Sequence, residues 1–213
     1  MKPNGKWLAV VCLAVILFGV FVAIYFNIPR NVVRVACAGD SITEGTEYPH
    51  DLALLLGANY SVGNFGVGGS TVSLQSDKPY MNQTKFQSLK DFSPNIVVIM
   101  LGTNDAYPSR QQSLDSFKSD YGKLIASFQT LSTKPKIYIL LPPPIFNDSL
   151  GPNNAILAQN VIPLIRQVAN ETGLPLVDTN TPLLGRVNDF WDGVHPNNEG
   201  AKILATQIYN AIR

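Results

Sequence analysis

"IVVIML", residues 96–101, is apolar at six consecutive positions. A strand with one wet face alternates apolar and polar residues, whereas a strand covered on both faces has no need to. The stretch therefore reads as the middle of a parallel sheet with helices on either side. "KIYILL", residues 136–141, carries nearly the same pattern. Working outward, residues 32–38, 60–64 and 174–178 read as three further strands. Leu114, Phe117, Tyr121, Leu124, Ile125 and Phe128 recur at threes and fours, which is one face of an amphipathic helix. Ile156, Leu157, Val161, Ile162, Leu164, Ile165 and Val168 mark another, with a kink expected at Pro163. Ile203, Leu204, Ile208 and Ile212 close the chain on a last helix. Strands alternating with helices predict one three-layer α/β/α domain over residues 32–213, built on a mainly parallel five-stranded sheet.

The other end of the chain is of a different kind. Residues 7–26, "WLAVVCLAVILFGVFVAIYF", contain no charge. At about 1.5 Å per residue such a helix spans a hydrocarbon core of roughly 30 Å. The run is longer than the ~7–15 apolar residues of a cleaved signal, and no small-x-small cleavage site follows it. It is read as one N-terminal transmembrane anchor, after a short tail over 1–6 and before a linker over 27–31. Lys2 and Lys6 before the span, against Arg30 and Arg34 after it, bias the N-terminus toward the cytoplasm and the domain away from it. Four N-x-S/T triplets, at Asn59, Asn82, Asn147 and Asn170, are compatible with that side.

Charge and cysteine content narrow the function. With Lys2 and Lys6 set aside, 14 bases face 15 acids, and no basic stripe suggests a nucleic-acid partner. Cys12 lies in the apolar span and Cys37 in a predicted strand, so they do not suit an intrachain disulfide. With two histidines, His50 and His195, a structural zinc site has poor support.

Ligands of open α/β sheets bind beyond the carboxyl ends of the strands, so the loops there are the place to search. After the first strand comes "GDSITEG" with Ser41, after the second "NFGVGGST", and after the third "GTND". "WDGVHPN", with Asp192 and His195, precedes the last helix and can fold back to them. A serine hydroxyl is a weak nucleophile and needs a base to take its proton. His195 suits that role, since imidazoles exchange protons near neutrality. Asp192, three residues earlier, can hold the second ring nitrogen, fix the tautomer and stabilise the imidazolium. Acyl transfer also places negative charge on a former carbonyl oxygen. Donors for it are the backbone N–H groups of Ser41 and Gly69 and the side-chain amide of Asn104.

Each piece has a plainer reading. Ser41-Ile42-Thr43-Glu44 is also S-x-x-E, the capping box of a helix start. The glycines alone describe a turn. They fail two nucleotide motifs: Thr71 stands where G-x-G-x-x-G needs its third glycine, and Gly69 where a P-loop needs lysine. Asp40 reads as a loop anchor, Asp105 as a turn brace and His50 as structural or surface. Together, however, the four loops fill every role of nucleophilic acyl transfer.

In that order the loops resemble the signature blocks of the GDSL-type, or SGNH, hydrolases, from about Val35 to the C-terminus. "GDSITEG" is similar to the first block, with Ile42 and Thr43 replacing the more familiar leucine form. "NFGVGGST" is similar to the second, and its N-x-x-x-x-G spacing from Asn64 selects Gly69 over Gly66 and Gly68. "LGTND" resembles the third and gives Asn104; "DGVHPN" resembles the last and gives Asp192 and His195. The resemblance implies a flavodoxin-like domain, ester hydrolysis through an acyl-enzyme, and no metal or organic cofactor. "NFGVGGST" through "DKPY", with "IMLGTND" and "LPPPIF", looks most like the bacterial carbohydrate O-acetylesterases of the family. The substrate expected from it is a small acyl ester, acetyl on a glycan. The alternatives are a lysophospholipase or thioesterase at the membrane, and an inactive, membrane-tethered glycan-binding protein.

Overall fold

The computed structural model describes residues 32–213. The tail over 1–6, the apolar span over 7–26 and the linker over 27–31 lie outside the described residues. Among the described residues no helix is long and apolar enough to cross a membrane.

Five strands form the sheet: β1 (Val33–Gly39), β2 (Tyr60–Gly66), β3 (Ile96–Met100), β4 (Lys136–Leu140) and β5 (Leu176–Val177). All pairings are parallel, in the order β2-β1-β3-β4-β5. The apolar run of β3 is divided cleanly between two cores. Ile96, Val98 and Met100 point to one side with Val35 and Cys37 of β1. Val97, Ile99 and Leu101 point to the other with Ala36 and Ala38. Because successive side chains of a strand face opposite ways, a sheet buried on both faces requires this double series.

The helices are α1 (Ser41–Gly45), α2 (Tyr48–Leu56), α3 (Thr84–Asp91), α4 (Phe117–Gln129), α5 (Ile162–Thr172) and α6 (Asn198–Ile212). Tyr48 and Leu52 of α2 share the first core with Leu204, Ile208 and Ile212 of α6. Phe86 and Leu89 of α3, Tyr121 and Phe128 of α4, and Ile165 and Val168 of α5 fill the second. The sides follow from the strand order. The chain moves outward from β1 to β2, then reverses past β1 to β3, so right-handed crossovers place α2 on one face and α3, α4 and α5 on the other. That reversal makes the β1–β3 boundary the switch point, where a crevice opens at the strand ends.

Several boundaries differ from the sequence reading. The break expected at Pro163 lies before it: Leu157–Val161 forms a π turn, and Pro163 sits in the first turn of α5, where its missing N–H leaves no gap. Residues 108–116, taken partly into the fourth helix, wind as a 3₁₀ segment ahead of Phe117. Helix α6 begins five residues before the first predicted apolar position, Ile203. Its first turn packs through Gly200 and Ala201, residues too small to mark an apolar stripe. Strand β5 is two residues long.

Candidate active site

Ser41 is the first residue of α1, immediately beyond the end of β1. The capping-box reading is corrected here. Asp40, not Ser41, is the cap, and its Oδ1 accepts the N–H of Ile42 at 3.0 Å. A cap of this kind contributes about 1 kcal/mol. Glu44 does not reach back along its own helix; its Oε2 accepts the N–H of Gly68 at 2.7 Å. The Ser41 hydroxyl is thereby left for another partner.

That partner is His195. Its Nε2 lies 2.9 Å from Ser41 Oγ, and its Nδ1 lies 2.7 Å from Asp192 Oδ2. Asp192 Oδ1 accepts the N–H groups of Val194, at 2.9 Å, and His195, at 2.8 Å. Partial burial raises the Asp192 carboxyl, but the His195 N–H, the imidazole and the Val194 N–H outweigh it and hold the group below the usual carboxylate range. An ionised carboxylate only accepts, so Nδ1 carries the ring proton and Nε2 presents a lone pair to the serine O–H.

A small hairpin holds these two residues in place. Phe190 and Pro196 pair as an antiparallel bridge, and the Trp191 N–H donates to His195 O at 2.9 Å. Gly193 turns the hairpin at φ +86°, and a Cβ there would stand 2.5 Å from Cβ of Asn147. Only glycine meets both demands. The close approach lets Phe146 N–H donate to Gly193 O at 2.7 Å, and Asn147 Nδ2 to Asp192 O at 3.3 Å.

The loop after β2 lies along the end of β1. Val67 N–H donates to Gly39 O at 3.0 Å, and Asn64 Nδ2 donates to Thr43 O, a carbonyl of α1, at 2.7 Å. Gly69 takes φ +75°, while Gly68 lies beside Ser41, and a Cβ there would stand 2.8 Å from Glu44 Oε2. Among the described residues, neither the Ser41 N–H nor the Gly69 N–H has an acceptor. Asn104, at the start of a 3₁₀ turn beyond β3, is buried and donates through Nδ2 to Ser70 O at 3.0 Å. An amide nitrogen carries two hydrogens, so one remains for another acceptor. Ser41, Gly69 and Asn104 thus stand on adjoining strand-end loops, and His195 and Asp192 reach Ser41 from the hairpin.

Beneath them, Asp105 and Asp40 act as the brace and the loop anchor expected of them, through partners that the sequence did not show. Asp105 is fully buried and accepts Val72 N–H and Ser73 N–H, each at 3.0 Å. Burial raises its carboxyl to about 6, against the lowering effect of those two donors. Asp40 is also buried, which raises its carboxyl to about 7 despite the Ile42 N–H. Arg110 Nη1 donates to Asn104 O at 2.9 Å, pairs with Asp77 and lies 4.7 Å from the Tyr107 ring centre. The links from Asp105 to Val72 and Ser73 and from Arg110 to Asp77 join residues 32 or 33 positions apart, so no local spacing announces them. Cys37 is fully buried, which pushes its thiol up to about 12 and rules it out as a thiolate. His50 is exposed on α2. Among the described residues no group of three His, Cys, Asp or Glu is placed to hold a metal ion.

Comparison with known proteins bears on the fold and the family. The chain is 35% identical over 212 residues to an acetylxylan esterase of Xylanibacter ruminicola, covering 86% of this chain and 44% of that protein. It therefore spans less than half the length of that relative. A carbohydrate acetylesterase from Sinorhizobium meliloti superposes with a TM-score of 0.67 at 20% identity, covering 84% of this chain and 98% of that one. The aryl esterase of M. smegmatis does so with a TM-score of 0.68 at 18% identity, over 85% and 99%. At such identities the two structures bear on the fold alone, which they share with the five-stranded α/β domain described above. The model of the GDSL-like lipase/acylhydrolase family matches residues 37–203. The match runs from the strand before Ser41 to a point beyond His195, and the chain belongs to this family of carboxylic ester hydrolases.

Proposed function

We propose that the chain is a serine esterase that removes small acyl groups, acetyl foremost, from a carbohydrate through an acyl-enzyme. The observation that carries the reading is the continuous Ser41–His195–Asp192 hydrogen-bonded series, at 2.9 and 2.7 Å, beside two backbone N–H groups that have no acceptor among the described residues.

In this reading Ser41 Oγ attacks the ester carbonyl carbon while His195 Nε2 takes the hydroxyl proton. Asp192 holds the imidazolium through Nδ1–H. The carbonyl oxygen, now negative, receives the N–H groups of Ser41 and Gly69 and the free amide hydrogen of Asn104. As the tetrahedral centre collapses, the bond to the sugar oxygen breaks, and that oxygen takes the proton from His195. A water then attacks the acyl-serine with His195 again as base. The proton returns to Ser41 Oγ and the carboxylic acid leaves.

The acetyl-sugar part of the reading is supported by the name of the X. ruminicola relative and by the openness of the site. The side chains of His195 and Asp192 are 29% and 37% exposed. The apolar, uncharged residues 7–26 further support a membrane tether, and Lys2 and Lys6 before them a domain outside the cytoplasm. A series of p-nitrophenyl esters tests the acyl preference. The expected maximum of kcat/KM is at the acetyl ester, with acetate released from acetylated xylo-oligosaccharides. A maximum at C8 or longer would replace this reading with a lysophospholipase or thioesterase.

A further inference from the structure

The hairpin that carries Asp192 and His195 also carries the most exposed large apolar side chain among the described residues. Trp191 is 73% exposed. The register of the hairpin places it. With Phe190 opposite Pro196, the next pair inward is Trp191 opposite His195, joined by the Trp191 N–H to His195 O bond. Residues opposite each other on paired strands present side chains on the same face, and neighbouring pairs present them on opposite faces. Phe190 turns inward, 7% exposed, with its ring 4.9 Å from that of Phe146 in an edge-to-face contact. Trp191 is thus the residue paired with His195 at the head of the turn, exposed where Phe190 is buried, and His195 directs its imidazole at Ser41.

Isolated exposed apolar residues are ordinary on protein surfaces. This one differs in where it stands and in how its backbone is held. Gly193, Val194 and Pro196 are buried, and the turn is tied to Phe146 and Asn147. An indole on so fixed a support is presented to a ligand with little ordering of the backbone left to do. Its chemistry is that of a flat apolar face with one N–H at the edge. A pyranose ring, with an apolar face of C–H groups and a rim of hydroxyls, complements it. An acyl chain needs an enclosed slot rather than one flat wall.

We propose that Trp191 is the platform on which the sugar ring bearing the ester stacks, holding its acyl group toward Ser41. The proposal rests on the reading of the site as a carbohydrate esterase. The test uses the full chain and compares wild type, Trp191→Ala and Trp191→Phe on two substrates. These are acetylated xylo-oligosaccharides, which have a ring to stack, and ethyl acetate, which has none. The measured quantity is the ratio of kcat/KM on the sugar to kcat/KM on ethyl acetate within one preparation. A partly misfolded fraction cancels in that ratio. Trp191→Ala lowers the ratio about tenfold, mainly through KM on the sugar, and Trp191→Phe recovers most of it, as expected for the loss of one ring-face contact. An unchanged ratio in Trp191→Ala, with the wild type active on the sugar, overturns the platform and leaves the esterase reading intact. A wild type that hydrolyses ethyl acetate but leaves the acetylated sugar untouched overturns the carbohydrate reading, and the platform with it.

Discussion

The hairpin that carries Asp192 and the strand-end floor that carries Asp40 and Asp105 use one side chain in opposite ways. Asp192 is partly open to water and receives three hydrogen bonds from its own hairpin, which hold it below the usual carboxylate range. Asp40 and Asp105 are sunk out of solvent, and burial raises them to about 7 and about 6. The contrast shows how a single residue type divides its labour. A carboxylate that must stay charged beside a base is kept near water, whereas one that only fastens backbone is placed where charge is costly. Removing Asp192 should therefore damage chemistry far more than folding, and removing either floor aspartate should do the reverse.

The largest effect is expected from Asp192→Asn. The amide keeps the shape but presents N–H as well as C=O to the ring, so the Nδ1–H tautomer loses its anchor. By analogy with other serine triads, kcat on a short p-nitrophenyl ester falls about 10⁴-fold with little change in thermal midpoint. A loss under tenfold would show that the hairpin carboxylate does not orient His195.

Asp105→Asn should act on stability instead. One oxygen remains to accept two buried N–H groups, Val72 and Ser73, and leaving one of them unpaired costs about 1–3 kcal/mol. Denaturant unfolding reads that loss directly. Unchanged stability would mean that the loop beneath Gly69 is fastened by other contacts.

Asp40 gives the smallest and most selective effect. Between the ordinary value of 3.8 and about 7, the folded chain keeps a proton on Asp40 that the unfolded chain has released. The unfolded state then binds fewer protons, so this contribution to stability declines as pH rises through that window and levels off above it. Asp105 adds the same sign up to about 6. Asp192 has the opposite sign, and its contribution is lost only as pH falls below the carboxylate range. Midpoints of denaturation measured from pH 4.5 to 8 should thus slope less steeply in Asp40→Asn than in the wild type. Equal slopes would contradict the raised carboxyl.

The same contrast divides what could be read from the letters. The apolar run of β3 was legible because burial on two faces leaves no polar position in the pattern, and that of β4 because it follows nearly the same pattern after Lys136. Asp192 and His195 were legible because their contact is made within one short turn, three residues apart. Helix α2 was not, since it is short and carries Pro49, a residue that ends most helices but here occupies the first turn, where its ring and missing N–H are tolerated. Nor was the cap at Asp40. S-x-x-E points to a cap at Ser41, but Glu44 is diverted to Gly68 by a contact 24 positions away and Asp40 caps instead. The grip of Asp105 on Val72 and Ser73 spans more than 30 positions and depends on the fold already being formed.

The central claim is that Ser41 is a nucleophile made reactive by His195 and Asp192, and covalent labelling tests it most directly. The full chain treated with a fluorophosphonate and measured as an intact mass should carry a single adduct, mapped to Ser41. That adduct should be absent in Ser41→Ala, slowed by orders of magnitude in His195→Ala, and formed at the wild-type rate in His50→Ala. An adduct that persists in Ser41→Ala, or that maps to any other residue, would contradict the account.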